Sequence, residues 1–236
     1  MSLNPTLNQC AVCWKEGGQL CASCKSCHYC SKECQKADWK SHKLLCKDMT
    51  THSERPSPFH VRAIYFPQDK AVPQLVWIPC NQNSETPEEP NHPNPDSVGE
   101  FIGVIANAHR VHWNYVHKKS TLRIIDFHFR DKFLYDGSKP TESLYTTVAK
   151  HGRGKFTWKG PLVVFSISVE DPPEYSNIPV YRYTDATLAD FRAIIDHSLG
   201  YDESEEIGPA PLDPHAIMEP LLRDPTMPRF ANVFLM

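Results

Sequence analysis

The chain has 236 residues, 40% hydrophobic and 22% charged, with a formal net charge of −3. This composition belongs to a folded globular protein rather than a disordered one, and no window approaches the run of about 18 apolar residues that spans a membrane. Charge argues against a nucleic-acid partner. Residues 1–50 hold seven lysines against Glu16, Glu33, Asp38 and Asp48, the remainder is formally −6, and no basic face stands out.

The opening segment, MSLNPTLNQC, lacks the charged-then-apolar form of a secretory leader. A reducing compartment, cytosol or nucleus, is therefore expected, where clustered cysteines read as metal ligands rather than disulfides. They follow at once, as Cys10-x2-Cys13-x7-Cys21-x2-Cys24-x5-Cys30-x3-Cys34-x7-His42-x3-Cys46. Four close pairs make eight donors, the number for two tetrahedral structural zinc ions with no position open to substrate. With seven thiolates and two zinc ions counted, the segment is close to neutral.

A segment of about 40 residues buries too little apolar surface to offset its chain entropy, and structural zinc supplies roughly 10–16 kcal/mol in its place. Ser31 to Lys47 reads as a helix with Ser31 as its cap. Cys30/Cys34 and His42/Cys46 are each i, i+4 pairs, so each pair shares a helix side. The two pairs stand about 12–24 Å apart along an unbroken helix, so each recruits a separate Cys-x2-Cys knuckle. Spacing alone permits a sequential or an interleaved pairing.

The spacing, the Tyr29-Cys30-Ser31 turn and the run Cys34-Gln35-Lys36-Ala37-Asp38-Trp39-Lys40-Ser41-His42 resemble the MYND-type zinc finger over residues 10–46. The resemblance implies an interleaved cross-brace, with Cys10, Cys13, Cys30 and Cys34 on one zinc and Cys21, Cys24, His42 and Cys46 on the other. It further implies docking of short proline-containing segments of partner proteins, with Gln35 and Trp39 as the contact residues. Cys27 and His28 are spare donors beside this set. Cys27 is expected to be a free, partly exposed thiol.

The finger is assigned to residues 7–47, a proline-punctuated linker to 48–58, a body domain to 59–200 and an acidic, proline-rich tail to 201–236. In the body, His60–Phe66, Gln74–Ile78, Phe101–Ile105, Leu122–Phe129 and Leu162–Val169 read as strands, the last as the most hydrophobic and central. Residues 83–97, with four prolines, read as an exposed loop. Thr187–Asp190 resembles a capping box opening a helix through Leu188, Phe191, Ile195 and Leu199, with Gly200 as its stop. The fold expected is a zinc-stabilised cross-brace finger followed by an α+β domain with a mainly antiparallel sheet.

Sharper motifs fit poorly. Asn91-His92-Pro93-Asn94-Pro95 is similar to a SET-domain methyltransferase motif but lacks the residues that motif needs between its His and its Pro-Asn. His151-Gly152-Arg153-Gly154-Lys155 lacks the ending of a phosphate-binding loop. His109, His112, His117 and His128, which have Asp126 nearby, could suggest a third metal but read as half-exposed surface histidines. Cys80 reads as a buried thiol. Pro209–Pro214 and Pro220–Pro225 are near-misses of a proline-x-leucine-x-proline ligand. The function expected is that of a zinc-binding adaptor without catalysis, partnered with proteins rather than nucleic acid or membrane. The alternative is an enzyme of unknown class with its site in residues 59–200. Loss of a ligand, as in Cys13→Ser, is expected to unfold the finger far more than the body.

Overall fold

The computed structural model describes residues 8–81, 92–103, 106–152, 157–170 and 180–201. The cysteine-rich segment forms a two-stranded antiparallel ribbon, β1 (Gln19–Leu20) and β2 (His28–Tyr29), followed by helix α1 (Lys32–Thr51). Ser31 opens the helix from an extended backbone, and its Oγ accepts from the Cys34 amide at 3.3 Å. That satisfies one of the amides left open in a first turn. The helix runs on through Thr51, into the stretch read as linker.

The body is built on a sheet of seven strands whose neighbours all pair antiparallel. In space the order is β5 (His92–Pro93), β4 (Gln74–Asn81), β3 (His60–Phe66), β8 (Leu162–Glu170), β7 (Lys119–Arg130) and β6 (Ala106–Asn114). One edge of β8 is shared end to end: β3 pairs with Leu162–Val164, and β9 (Val180–Thr184) pairs with Ser166–Glu170. Every residue from Leu162 to Ile167 is buried, as expected of a strand covered on both faces. The most hydrophobic run of the body is thus its central strand.

Alternation along the strands separates two cores. Ile64, Phe66, Ile125, Phe127, Leu162 and Val164 lie with Leu144 of α3 (Glu142–Val148) and Phe191, Ile194 and Ile195 of α4 (Leu188–Gly200). Val61, Ala63, Val163, Phe165 and Ile167 lie with Val98 and Ile102 of α2 (Pro95–Ile102). The first core also contains Cys10, Cys21, Cys24, Tyr29, Leu45 and Cys46. Finger and body therefore share one apolar interior.

Two expectations are corrected. Phe101–Ile105 is not a strand: Phe101 and Ile102 close α2, and the strand begins at Ala106. The reason lies upstream, in the supposed loop 83–97. Asn94 caps α2 by accepting from the Ser97 amide at 3.0 Å, and Pro95 takes a first-turn position that suits its fixed φ. His92–Pro93 pairs with β4, while residues 83–91 of that stretch lie outside the described residues.

The capping box at α4 is present: Thr187 Oγ1 accepts from the Asp190 amide at 3.3 Å, and Asp190 Oδ2 accepts from the Thr187 amide at 2.7 Å. Gly200 is the last helical residue, and its need for glycine is spatial. A Cβ there would stand 2.4 Å from Tyr115 Cβ. Among the described residues no helix is long and apolar enough to cross a membrane.

Candidate metal centres

The two Cys-x2-Cys knuckles fold alike. The Trp14 amide donates to the Cys10 carbonyl at 2.9 Å, and the Lys25 amide to the Cys21 carbonyl at 3.0 Å. Each donor residue takes a left-handed backbone, with φ of 62° at Trp14 and 53° at Lys25. That conformation is uncommon for either side chain, and here it closes a turn that leaves both sulfurs of a knuckle on one side. The ribbon hairpin carries the first knuckle to Cys30 and Cys34, and α1 carries His42 and Cys46 to the second.

The result is two sets of four donors with their ligand atoms within 4.8 Å of one another: Cys10, Cys13, Cys30, Cys34 and Cys21, Cys24, His42, Cys46. The pairing is interleaved. Sulfur separations are 3.3 Å for Cys13–Cys30, 3.6 Å for Cys30–Cys34 and 4.0 Å for Cys21–Cys46. Four sulfurs around one zinc at about 2.3 Å stand about 3.8 Å apart, so both sets fit the ion. Their proton chemistry points the same way. Burial opposes ionisation of Cys10, but the amides of Cys30, Cys13 and Val12 outweigh it and bring the thiol down to about 7. Cys30 is pushed up to about 12, first by Cys13 and then by Cys34. Several thiolates in so small a space need a cation to balance them.

His42 is oriented by a relay. Its Nε2 lies 3.6 Å from Cys24 Sγ, facing the metal set. On the other side Nδ1 donates to Tyr29 Oη at 2.8 Å, and Tyr29 Oη donates to Asp38 Oδ2 at 2.6 Å. Because the phenol proton goes to the carboxylate, the imidazole carries its own proton on Nδ1 and offers the Nε2 lone pair to zinc. Burial also lowers the His42 pKa against the pull of Asp38, favouring the neutral ligand.

The relay continues into the body. Arg192 of α4 lies 3.4 Å from Asp38 Oδ1, and its Nε donates to Asp196 Oδ1 at 2.8 Å. Ser26, in the second knuckle loop, accepts from the Leu188 amide at 3.0 Å, so a finger side chain completes the first turn of α4. In the sequence Tyr29 and Asp38 appear as parts of the finger motif, without a role of their own, and Ser26 and Arg192 do not stand out. Asp38 had a legible signal, since it stands four residues before His42 on the same helix face.

The remaining sequence candidates fall in different places. Cys27 is a free thiol but not a partly exposed one: it is buried beside Asp38 and His42, and burial pushes its pKa up. The knuckle loop folds it under α1. His28 belongs to neither four-donor set. The histidine group is dispersed. His109 and His112 lie on strand β6 rather than a helix, His117 packs on Trp14, and His128 bonds Asp126 on β7. Cys80 is buried, and burial raises its thiol to about 11. Arg153, Gly154 and Lys155 and both tail motifs lie outside the described residues. Gln35 is half-buried and Trp39 exposed, one helical turn apart on α1.

Comparison with known proteins places these centres. The MYND finger family matches residues 10–46. The human N-lysine methyltransferase SMYD2 is 42% identical over 60 residues, covering 25% of this chain and 14% of that protein. The SET domain and MYND-type zinc finger protein 6 of Schizosaccharomyces pombe is 60% identical over 40 residues, 16% of this chain and 8% of its own. The Drosophila melanogaster homologue of zinc finger MYND domain-containing protein 10 is 49% identical over 41 residues, 17% and 9%. The chain thus spans less than a fifth of the length of each of these relatives. No solved structure matches it. With its interleaved sets of four ligands, the segment 10–46 is a MYND finger, a protein-interaction module that binds two zinc ions.

Proposed function

We propose that the chain is a zinc-folded adaptor whose finger docks proline-containing segments of partner proteins on Gln35 and Trp39. The observation that carries this reading is Trp39. A module short of core leaves Trp39, one of its two tryptophans, 47% exposed, although burying that indole would stabilise it. The ring is not loose: it rests on His42 with centroids 5.8 Å apart. A braced aromatic face suits the preformed, low-entropy backbone of a proline-rich segment, and Gln35 beside it offers an amide to that backbone.

In this reading the body is a scaffold without chemistry of its own, and the protein works in a reducing compartment where its thiols stay metal ligands. The likeness to N-lysine methyltransferases covers the finger and its flank, and their activity is not carried over to residues 59–200. Asp126 is where an enzyme reading would begin. It is fully buried, accepting from Tyr183 Oη at 2.5 Å and His128 Nε2 at 3.1 Å, with Arg110 at 3.7 Å. Burial opposes its ionisation, yet His128, Tyr183 and Arg110 together hold it below the usual carboxylate range. All three partners meet Oδ2, while Oδ1 has no hydrogen-bond partner among the described residues; in the adaptor reading the cluster ties β6, β7 and β9 together.

The test is a titration of the full chain, loaded with two zinc ions, with proline-containing peptides, beside Trp39→Ala of equal zinc content. Binding that disappears in the variant supports docking on Trp39. Absence of binding to the unmodified chain would make the finger a structural staple.

A further inference from the structure

Five lysines of α1, Lys32, Lys36, Lys40, Lys43 and Lys47, are all exposed. At 3.6 residues per turn they fall within an arc of about 80° and extend about 22 Å along the axis. Trp39 borders this stripe, between Lys36 and Lys43 on neighbouring turns, while Asp38, His42, Leu45 and Cys46 face inward.

Helix stability does not account for the stripe. Lys32/Lys36, Lys36/Lys40 and Lys43/Lys47 are like-charge i, i+4 neighbours, which weaken a helix. Cations that complement a helix dipole gather in the last turn, and here the last turn has no basic residue. Nor is it a face laced with opposite charges. Asp38 points inward to Arg192, and among the described residues none of the five ammonium groups forms an ion pair. Among the described residues only Glu33, three residues before Lys36, offsets the stripe; the five like charges beside the exposed indole therefore leave a surface short of counter-charge.

We infer that the segment docked on Trp39 is acidic: an extended stretch of about seven residues, at about 3.1 Å per residue, with a proline on the indole and carboxylates along the lysines. This rests on the docking of proline-containing segments proposed above and specifies their chemistry. A polypeptide is favoured over a nucleic acid because the chain is formally −3 overall and its cations here lie on one helix.

The experiment titrates the zinc-loaded full chain with three peptides: one with a proline flanked by glutamates, its glutamine analogue, and its lysine analogue. Each is measured at roughly 20 mM and 500 mM salt. The acidic peptide is expected to bind roughly tenfold or more tighter than the glutamine analogue at low salt, the gap closing to about twofold at high salt. Lys36→Glu/Lys40→Glu/Lys43→Glu, with zinc content unchanged, is expected to abolish the preference while retaining the glutamine analogue. The salt dependence needs no variant, so a misfolded triple substitution leaves a decisive measurement. Equal, salt-independent binding of the acidic and glutamine peptides overturns the charge inference and leaves docking on Trp39 standing. Failure of all three peptides overturns both. Tighter binding of a DNA duplex than of the acidic peptide at equal salt also overturns it. So does a gain of tenfold or more in affinity for the acidic peptide on Glu203→Gln/Glu205→Gln/Glu206→Gln, which would make the chain's own acidic segment the occupant.

Discussion

Arg192 Nη1 stands 3.4 Å from Asp38 Oδ1, joining the last described helix of the body to the helix that carries Cys34, His42 and Cys46. Asp38 is 2% exposed and Asp196, the other partner of Arg192, is fully buried. Replacing Arg192 by Met keeps the packing stem but leaves two buried carboxylates without their cation. The expected cost is about 3–5 kcal/mol of stability, read from denaturant unfolding of the zinc-loaded protein. A change below about 1 kcal/mol would mean the carboxylates find other partners.

The shared interior changes what ligand loss is expected to do. Sequence alone points to a finger that fails by itself, but Cys10, Cys21, Cys24, Tyr29 and Leu45 lie in one core with Phe66, Phe127, Phe191 and Ile195. Cys13→Ser or chelation is therefore expected to lower hydrogen-exchange protection in α4 and β7 as well as in the finger. Full protection in α4 with an exchanging finger would show two independent units. Metal analysis of the unmodified chain should return two zinc ions.

Tyr29→Phe removes one hydroxyl and with it both halves of the relay from His42 to Asp38. Zinc affinity at the Cys21, Cys24, His42, Cys46 set is expected to fall about 10–100-fold, with the other set unchanged. Competition with a coloured chelator separates the two sites. Equal weakening of both would point to general loosening instead.

His197 supplies a pH signature. It is 2% exposed with neither ring nitrogen hydrogen-bonded, and it faces His109, Tyr115 and Tyr201. Burial, and secondarily His109, depress its pKa from 6.5 to about 3. A depressed histidine is neutral in the folded state, while the unfolded chain takes up the proton below about 6.5. Its contribution is therefore complete above that pH and declines toward pH 3, at about 1.4 kcal/mol per pH unit. His197→Phe keeps the aromatic packing and is expected to gain about 2–3 kcal/mol on the unmodified protein between pH 6.5 and 4.5. Acid also releases zinc, so both proteins are compared at matched metal content. Parallel profiles would show that His197 titrates normally.

What could be read from the sequence was local. The eight ligands declare themselves by short spacings, and β3, β7 and β8 by runs of Val, Ile and Phe. The capping box of α4 is four residues long. The interleaving of the ligand sets is a through-space property that spacing left open. Helix α2 was masked by prolines whose role changes with position, Pro95 starting a helix rather than breaking one. Strand β6 was masked by its histidines, because an edge strand with exposed residues lacks clean alternation. The links that unite finger and body, Asp38 to Arg192 and Ser26 to Leu188, bridge 154 and 162 positions and leave no periodic trace.

The Ser26 contact also sets an order of assembly. At about 5–20 residues per second, the ribosome delivers Leu188 roughly 10–30 s after Ser26. Zinc supplies roughly 10–16 kcal/mol to short finger segments, so the ligand sets can close before the last strands and α4 emerge to complete the shared core. The nascent body then closes against a finished metal-bound platform that holds an acceptor ready for the first amide of α4. Zinc supply at the time of synthesis therefore governs the yield of the whole folded chain, not of its first fifth alone.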